Sequence, residues 1–202
     1  EERNQQAQAQ ADVDLVRDNA DAIFNDGFSW VGGNPDGDIT VVEFLDYRCG
    51  YCRKAFEEVN ELIADDGNIR FVVKEFPILG QASLDSSRFA VATKMVAGDE
   101  AYEMMHDALM GYNGATDEAA LSRIAEGLGL DAEAIVAKLD DPAVADEIAE
   151  TRRLANILKV SGTPTFVFQD QMVRGYVPLN AMEQIIETLN LLWKHRITHG
   201  DL

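Results

Sequence analysis

The amino-acid sequence predicts an α/β fold that combines a central mixed sheet with a helical insertion of about 75 residues and an N-terminal helix. Three observations support this prediction. Two apolar runs at 39–46 and 69–76 flank one amphipathic helix, residues 83–159 contain no convincing strand, and two short strands and a last helix follow from residue 164. The chain accordingly divides into an N-terminal helix (1–26), a sheet-bearing domain (27–82 and 160–202) and an inserted helical domain (83–159).

The first segment of the chain is predicted to be one helix. Residues from Gln5 to Phe24 carry a partial apolar stripe that includes Val13, Val16 and Ile23. The segment is weakly amphipathic and rich in Gln and Asp, so it either packs on the body of the protein or pairs with copies of itself.

The next segment is predicted to contain the first half of the sheet. A candidate short strand at Phe28–Val31 is separated by the turn cluster Gly32–Gly37 from the main strand at Ile39–Asp46. A helix is predicted from Cys49 to about Asp65, and a second apolar strand follows at Ile69–Phe76. A strand, a helix and a strand form a βαβ unit, which pairs its strands in parallel through a right-handed crossover.

The middle of the chain is predicted to be helical throughout. Asp141-Pro142 is typical of a helix start, because proline fits the first helical position. The predicted helices span 83–97, 100–111, 117–127, 132–139 and 142–158, and strands at 164–168 and 172–175 and a last helix at 180–195 follow them.

Charge and composition exclude several classes of partner. The formal net charge of −19, from 17 basic and 36 acidic residues, argues against nucleic acid and anionic membrane as partners. No apolar run approaches the ~18 residues of a membrane span. The first ten residues are polar and lack the apolar core of a signal peptide, so we expect any export signal to have been removed from this chain.

The cysteine and histidine content predicts no metal and no cofactor. The chain has two cysteines and three histidines, whereas a structural zinc site normally takes four such ligands. Two cysteines also cannot form a disulfide framework. A structural bridge between them stays open as an alternative, although closing so short a loop contributes only about 2 kcal/mol.

The two cysteines themselves favour thiol–disulfide exchange. Cys49 and Cys52 form a C-x-x-C that directly follows a predicted strand and opens a predicted helix. On a helix, residues three apart share a face, so the two sulfurs can bond without large backbone movement. Cys49 would lie at the helix N-terminus, where free N–H groups and the macrodipole favour the reactive thiolate. We therefore assign Cys49 as the candidate nucleophile and Cys52 as the candidate resolving cysteine.

Two segments carry a resemblance to a known family. The segment Val42–Cys52 (VEFLDYRCGYC) resembles the active-site strand and helix of the DsbA family of bacterial envelope oxidoreductases, and Gly162–Phe166 (GTPTF) resembles that family's cis-proline segment. The similarity runs from about Phe28 to the final helix and implies a thioredoxin fold. It is closest to the branch with an extra N-terminal helical oligomerisation segment, of which Glu1–Phe24 would be the tail end.

The resemblance implies roles for two charged residues. Glu43 matches the family's buried acid and Lys74 the lysine that partners it, so we expect a buried Glu43–Lys74 pair that relays a proton for Cys52. A carboxylate in the middle of an apolar strand is costly unless it has such a partner. The alternative is that both side chains point to solvent from a half-exposed face of the sheet.

The resemblance also implies how the rest of the site is built. We expect a cis bond at Thr163-Pro164, which would place the proline ring against the sulfurs. The backbone of Thr163 would then be free to pair with an extended substrate peptide. Gly50 and Tyr51 are expected to support the thiols, and together with Thr163 they are more similar to isomerase-type relatives than to the principal oxidase.

Three functions are compatible with these observations. The first is a periplasmic oxidoreductase that acts on cysteine-containing client proteins; as an oxidase it would be a monomer re-oxidised by a membrane redox partner. The second is a disulfide isomerase or reductase that works as a homo-oligomer through the N-terminal helix. The third is a client-binding chaperone whose disulfide is incidental.

Overall fold

The computed structural model of the chain describes the backbone of residues 2–199 and the side chains of residues 3–192. Its helices are α1 (Glu2–Asp18), α2 (Ala20–Phe24), α3 (Gly50–Asp66), α4 (Gln81–Ala97), α5 (Asp99–Gly111), α6 (Glu118–Gly127), α7 (Ala132–Lys138), α8 (Pro142–Ile157) and α9 (Leu179–His199). Its strands are β1 (Trp30–Gly33), β2 (Ile39–Leu45), β3 (Ile69–Glu75), β4 (Thr165–Phe168) and β5 (Gln171–Arg174).

The strands form one mixed sheet. Their order is β1-β3-β2-β4-β5. Strands β2 and β3 pair in parallel, as the predicted βαβ unit requires, and the other neighbours pair antiparallel. The predicted α/β class with a central mixed sheet is confirmed, and helices α4–α8 occupy the chain between β3 and β4.

The sheet separates two apolar layers. Alternate residues of a strand point to opposite faces, so the apolar runs in β2 and β3 supply both layers. One layer contains Val41, Leu45 and Val73 together with Cys52 and Ala55 of α3. The other contains Val42, Phe44 and Val72 together with residues of α1, α2 and α8, namely Val16, Ile23 and Leu154. The thiols therefore lie on one face of the sheet and the N-terminal helices on the other.

Two predicted elements near the N-terminus differ from the structure. The helix predicted over 5–24 is broken at Asn19, whose side-chain amide donates to the backbone oxygen of Leu15 at 2.8 Å and so competes with the helical pattern. The strand predicted at 28–31 begins only at Trp30, because the Asp26 carboxylate binds the N–H groups of Phe28 and Ser29 in a turn.

Helix α1 is docked along its second half. Asp12 accepts two hydrogen bonds from the guanidinium of Arg174 in β5, at 2.7 and 3.0 Å. Val16 is buried, and so is Ile23 of α2. Residues 3–11 of α1 are exposed. The N-terminal segment thus packs on the body of the protein from Asp12 onwards.

Replacing Arg174 with Gln should loosen α1 while the sheet stays folded. Loss of the partly buried pair with Asp12 costs about 1–2 kcal/mol, so amides of residues 12–18 should exchange with deuterium about fivefold faster or more. The control is Arg17→Gln, which removes an exposed pair with Asp14 and should leave exchange unchanged. Equal exchange in both variants would show that the ion pair does not hold the helix.

Candidate active site

The loop between β2 and α3 is fixed by one carboxylate. The Asp46 side chain accepts from the N–H of Arg48 at 2.8 Å through one oxygen, and from the N–H groups of Ile78 and Leu79 at 2.8 and 3.1 Å through the other. The backbone oxygen of Asp46 accepts from the N–H of Cys49 at 3.1 Å. Asp46 therefore ties the loop that carries Cys49 to the segment that follows β3.

The two cysteines lie at the start of α3. Cys49 is its N-cap, and its sulfur accepts from the N–H of Cys52 at 3.5 Å, which satisfies one of the free donors of the first turn. Both residues are free thiols, with Cys49 8% exposed and Cys52 fully buried. Both residues are buried, and Cys49 is the more exposed of the two.

The predicted proline segment lies against this sulfur. The Cys49 S–H donates to the backbone oxygen of Thr163 at 3.3 Å. The Thr163–Pro164 peptide bond is cis, and Pro164 is buried directly before β4. Residues 114 positions apart in the sequence thus meet at the Cys49 sulfur.

The two residues between the cysteines face outward. Gly50 is exposed, and a Cβ built there would meet no atom within 4 Å, so packing does not require glycine at this position. Tyr51 is 61% exposed, and its ring centroid lies 5.8 Å from that of Tyr176. Lys54 stands 4.5 Å above the Tyr176 ring. These side chains form an aromatic surface beside the thiols.

Glu43 lies beneath the thiols and is almost completely buried. Its carboxyl oxygen Oε1 has no hydrogen-bond partner in the structure. Burial, with a smaller contribution from Cys49, raises the pKa of Glu43 to about 8. Burial also raises the pKa of Cys52, and the nearby Glu43 carboxylate raises it further. Glu43 is therefore a carboxyl that holds a proton at neutral pH near the buried thiol of Cys52.

The expected Glu43–Lys74 pair is wrong. In the register of β2 and β3, Phe44 is opposite Lys74 and Glu43 is opposite Val73. Residues opposite each other in parallel strands point to the same face, so Glu43 and Lys74 lie on different faces of the sheet. The alternative, in which both side chains are half exposed, is also wrong, because both are buried.

Lys74 instead forms a buried ion pair on the face away from the thiols. Its ammonium contacts the carboxylate of Asp26 and donates to the backbone oxygen of Ala22 at 2.8 Å. The side chains of Lys74 and Asp26 are 1% and 9% exposed. This arrangement fastens the segment after α2 to the sheet.

Sequence reasoning missed a polar cluster on the thiol side. Glu75, at the end of β3, accepts hydrogen bonds from Tyr47 and Tyr102 through one oxygen and from Ser87 through the other. The only signal in the sequence is the pair of charges Lys74-Glu75 at the end of an apolar strand. That signal does not name the three hydroxyl partners, which come from separate elements.

Two negative observations concern the described part of the chain. Among its side chains, His, Cys, Asp and Glu nowhere gather in a group of three that could hold a metal ion. Within residues 2–199, no helix combines the length and the apolar character that crossing a bilayer requires.

Lys74→Met should destabilise the fold without changing the thiols. It leaves the Asp26 carboxylate buried and unpaired, which should lower the free energy of unfolding by about 3–5 kcal/mol. The double variant Lys74→Met/Asp26→Asn removes the unpaired charge and keeps a side-chain oxygen for the N–H groups of Phe28 and Ser29, so it should recover much of this loss in urea unfolding. Because Lys74 lies on the other face of the sheet, the reduction potential of the cysteine pair should equal that of the parent protein. A shifted potential would show that Lys74 acts on the thiols.

Glu43→Gln should change how stability depends on pH. The pKa of Glu43 is raised from 4.5 to about 8 by folding, so between these values the folded state binds a proton that the unfolded state releases. Stability from this group is therefore present below the unfolded pKa and falls as pH rises, by at most about 1.4 kcal/mol per pH unit.

The variant lacks this titration, so its stability relative to the parent protein should increase from about pH 5 to about pH 8. Urea unfolding at several pH values measures the difference. The control Glu61→Gln, at an exposed position of α3, should follow the parent curve. If Glu43→Gln follows it as well, Glu43 is ionised in the folded protein.

Comparisons with solved structures show the same architecture in other proteins. A thioredoxin-like oxidoreductase from Silicibacter pomeroyi DSS-3 is 41% identical, with 84% of this chain and 96% of that chain covered and a TM-score of 0.78. The thiol-disulfide exchange protein alpha-DsbA2 from Wolbachia pipientis is 26% identical, with 91% and 98% covered and a TM-score of 0.83.

A curated relative is a larger protein. The Na(+)/H(+) antiporter NhaA 1 of Salinispora arenicola is 34% identical over 157 residues, which are 77% of this chain. The chain spans about a quarter, 24%, of that antiporter's length.

The family model described as DSBA-like thioredoxin domain matches residues 40–187, a range that contains both cysteines and the Thr163–Pro164 bond. The match begins after the N-terminal helices, so membership of the oligomeric branch stays a prediction. The predicted thioredoxin fold and DsbA resemblance are confirmed. The chain therefore belongs to the DSBA-like thioredoxin domain family and has the fold of the DsbA-like thiol–disulfide oxidoreductases.

Proposed function

We propose that this protein is a thiol–disulfide oxidoreductase that acts on the cysteines of exported client proteins. The observation that carries the proposal is the position of the Cys49 sulfur. It caps α3 and lies 3.3 Å from the Thr163 carbonyl oxygen before the cis-proline, and Cys49 is more exposed than Cys52, which is fully buried. A structural cysteine has no need of a helix N-terminus or of an accessible sulfur.

The proposed reaction starts from the Cys49–Cys52 disulfide. A client thiolate attacks the Cys49 sulfur, the intramolecular S–S bond breaks, and Cys52 leaves as a thiolate. A second client thiolate then attacks the client sulfur of the mixed disulfide, which releases Cys49 as a thiolate and the client as a disulfide. Two electrons pass from the client to the protein, which ends as the dithiol seen in this structure.

Glu43 is proposed to move the proton that this reaction requires at Cys52. A buried thiolate is costly, and Glu43 holds a proton with a pKa of about 8 on the same face of the sheet. In the forward direction Glu43 gives its proton to the departing Cys52 thiolate. In the reverse direction it takes the proton back, and Cys52 attacks the mixed disulfide.

The client is proposed to bind in an extended form beside Thr163. The ladder pairs of β4 begin at Thr165, so the backbone of Thr163 is outside the sheet pairing. This supports the proposal that it pairs with an added strand of the client. The exposed ring of Tyr51 and the half-buried ring of Tyr176 beside it would contact apolar client side chains. Gly50 leaves the approach to Cys49 open.

Within this proposal the docking of α1 favours a monomeric oxidase in the periplasm that a membrane redox partner re-oxidises. Asp12 and Val16 hold the second half of α1 on the body of the protein. The exposed first half, residues 3–11, supports the alternative of a homo-oligomeric isomerase or reductase. Sedimentation of the full chain separates a monomer from an oligomer.

The first experiment is the reduction potential of the Cys49–Cys52 pair, measured by equilibration against glutathione. We expect an oxidising value of about −120 mV, which is the value for DsbA. A value below about −300 mV would identify a structural bridge and reject the proposal. In a parallel assay, Cys49→Ser should abolish oxidation of a reduced two-cysteine client. With an oxidised client, the Cys49 thiolate of Cys52→Ser attacks the client disulfide, one client sulfur leaves as a thiolate, and the mixed disulfide should accumulate because no Cys52 thiol resolves it.

The same variants test the chaperone alternative. A chaperone with an incidental disulfide would suppress client aggregation equally well with Cys49 and with serine at that position, and the parent protein would not oxidise the client. An oxidoreductase loses its effect on client disulfides in the serine variant.

A further inference from the structure

Tyr47 lies two residues before Cys49 in the sequence, and its hydroxyl group forms hydrogen bonds in the protein interior. The side chain is fully buried. Its hydroxyl donates to Glu75 at 2.6 Å, and the same oxygen lies 3.0 Å from Nδ1 of His106, a residue of α5. Burial and the adjacent Glu75 raise the pKa of Tyr47, so the phenol stays neutral and keeps its proton for this hydrogen bond.

Tyr47 is also held at its backbone carbonyl. The oxygen accepts from Nε of Arg53 at 2.7 Å. The guanidinium of Arg53 is itself bound at the end of α5, where it contacts the backbone oxygens of Leu109 and Tyr112 and the side chain of Asn113. The hydroxyl of Tyr47 thus contacts α5 directly through His106, and its carbonyl is connected to the end of α5 through Arg53.

Glu75 joins this arrangement to the sheet and to the inserted helices. It accepts from Tyr102 of α5 at 2.5 Å and from Ser87 of α4 at 2.7 Å. These donors, together with the hydroxyl of Tyr47, occupy both carboxyl oxygens. The cluster therefore connects β3, α4 and α5 to the loop before the nucleophile.

We infer that Tyr47 is a positioning residue whose hydroxyl, bound to Glu75 of β3 and to His106 of α5, fixes the loop that carries Cys49 and so sets the reduction potential of the thiol pair. The inference rests on the redox function proposed above and adds a residue that the C-x-x-C motif does not contain. It also gives the helical insertion a part in the reaction.

The physical link runs through the first turn of α3. The thiolate of Cys49 is stabilised by N–H groups of that turn, which include the N–H of Cys52. If the loop can shift, the sulfur spends less time in line with these donors, and the reduced form loses stability relative to the disulfide. Loss of the Tyr47 hydroxyl should therefore make the protein more reducing.

The test compares two variants that each remove one phenol hydroxyl from the same oxygen of Glu75. Tyr47→Phe releases the loop before Cys49, whereas Tyr102→Phe removes the matching hydrogen bond from α5 and leaves Tyr47 bound. Both residues are fully buried, so both variants should be destabilised to a similar extent in urea. The informative measurement is the equilibrium constant with glutathione, determined for the folded protein at neutral pH.

We expect Tyr47→Phe to shift this constant about threefold or more towards the disulfide, which corresponds to about 14 mV or more in the reducing direction. Tyr102→Phe should stay close to the parent value. Equal shifts in the two variants, or no shift in Tyr47→Phe, would overturn the inference. If the parent protein itself does not exchange with glutathione, the proposed function fails first, so the two failures are distinguishable.

Discussion

The register between two parallel strands decides which buried charges reach the thiols. With Glu43 opposite Val73 and Phe44 opposite Lys74, the carboxyl faces α3 and the ammonium faces α1 and α2. A shift of one residue in either strand would turn that strand over, and a β3 turned in this way would place the ammonium on the thiol side. The apolar residues on both faces prevent the shift, because each face fills a different layer of the core. The chemistry of the site therefore depends on the packing of the sheet as much as on the C-x-x-C motif.

Glu43 and Glu75, the two buried glutamates on the thiol face of the sheet, differ in their hydrogen bonds. Burial raises the pKa of Glu43 to about 8 and that of Glu75 to about 7. One oxygen of Glu43 has no hydrogen-bond partner. Ionisation would leave a buried charge unsatisfied, so the carboxyl favours its neutral form and takes a proton back after giving it up. Glu75 accepts from three hydroxyls, so its surroundings stay satisfied when it is charged. The first arrangement suits proton transfer and the second suits holding neighbours in place.

The sequence was sufficient for the order of the elements along the chain, the parallel pairing of β2 and β3 and the thiol pair, because local patterns mark each of them. The expectation that the Thr163–Pro164 segment lies against the sulfurs came from the family resemblance. The sequence was insufficient for Lys74. The partner of that lysine, Asp26, lies 48 residues earlier in a turn after α2, and no local pattern connects the two. A family match supplied Glu43 as a partner instead, and only the register of β2 and β3 shows that the two side chains point apart. A single sequence does not show which side chains of separately predicted elements contact each other.

The loop before Cys49 shows why the four residues of the C-x-x-C motif do not by themselves determine the reduction potential. Three consecutive residues bind three different parts of the fold: Asp46 binds the segment after β3, Tyr47 binds Glu75 and His106, and Arg48 donates to the backbone oxygen of Gly114 beyond α5 at 3.2 Å. Proteins with a C-x-x-C pair range from about −270 mV to about −120 mV, a difference of about 7 kcal/mol. A helix N-terminus supplies at most about 2 kcal/mol of this. The remainder comes from the other surroundings of the thiolate, such as neighbouring positive charge, burial and how firmly the structure holds the sulfur against its donors. In this chain Tyr47 contacts His106 of α5 and Arg48 contacts Gly114 after it, so the helical insertion binds two of these three loop residues.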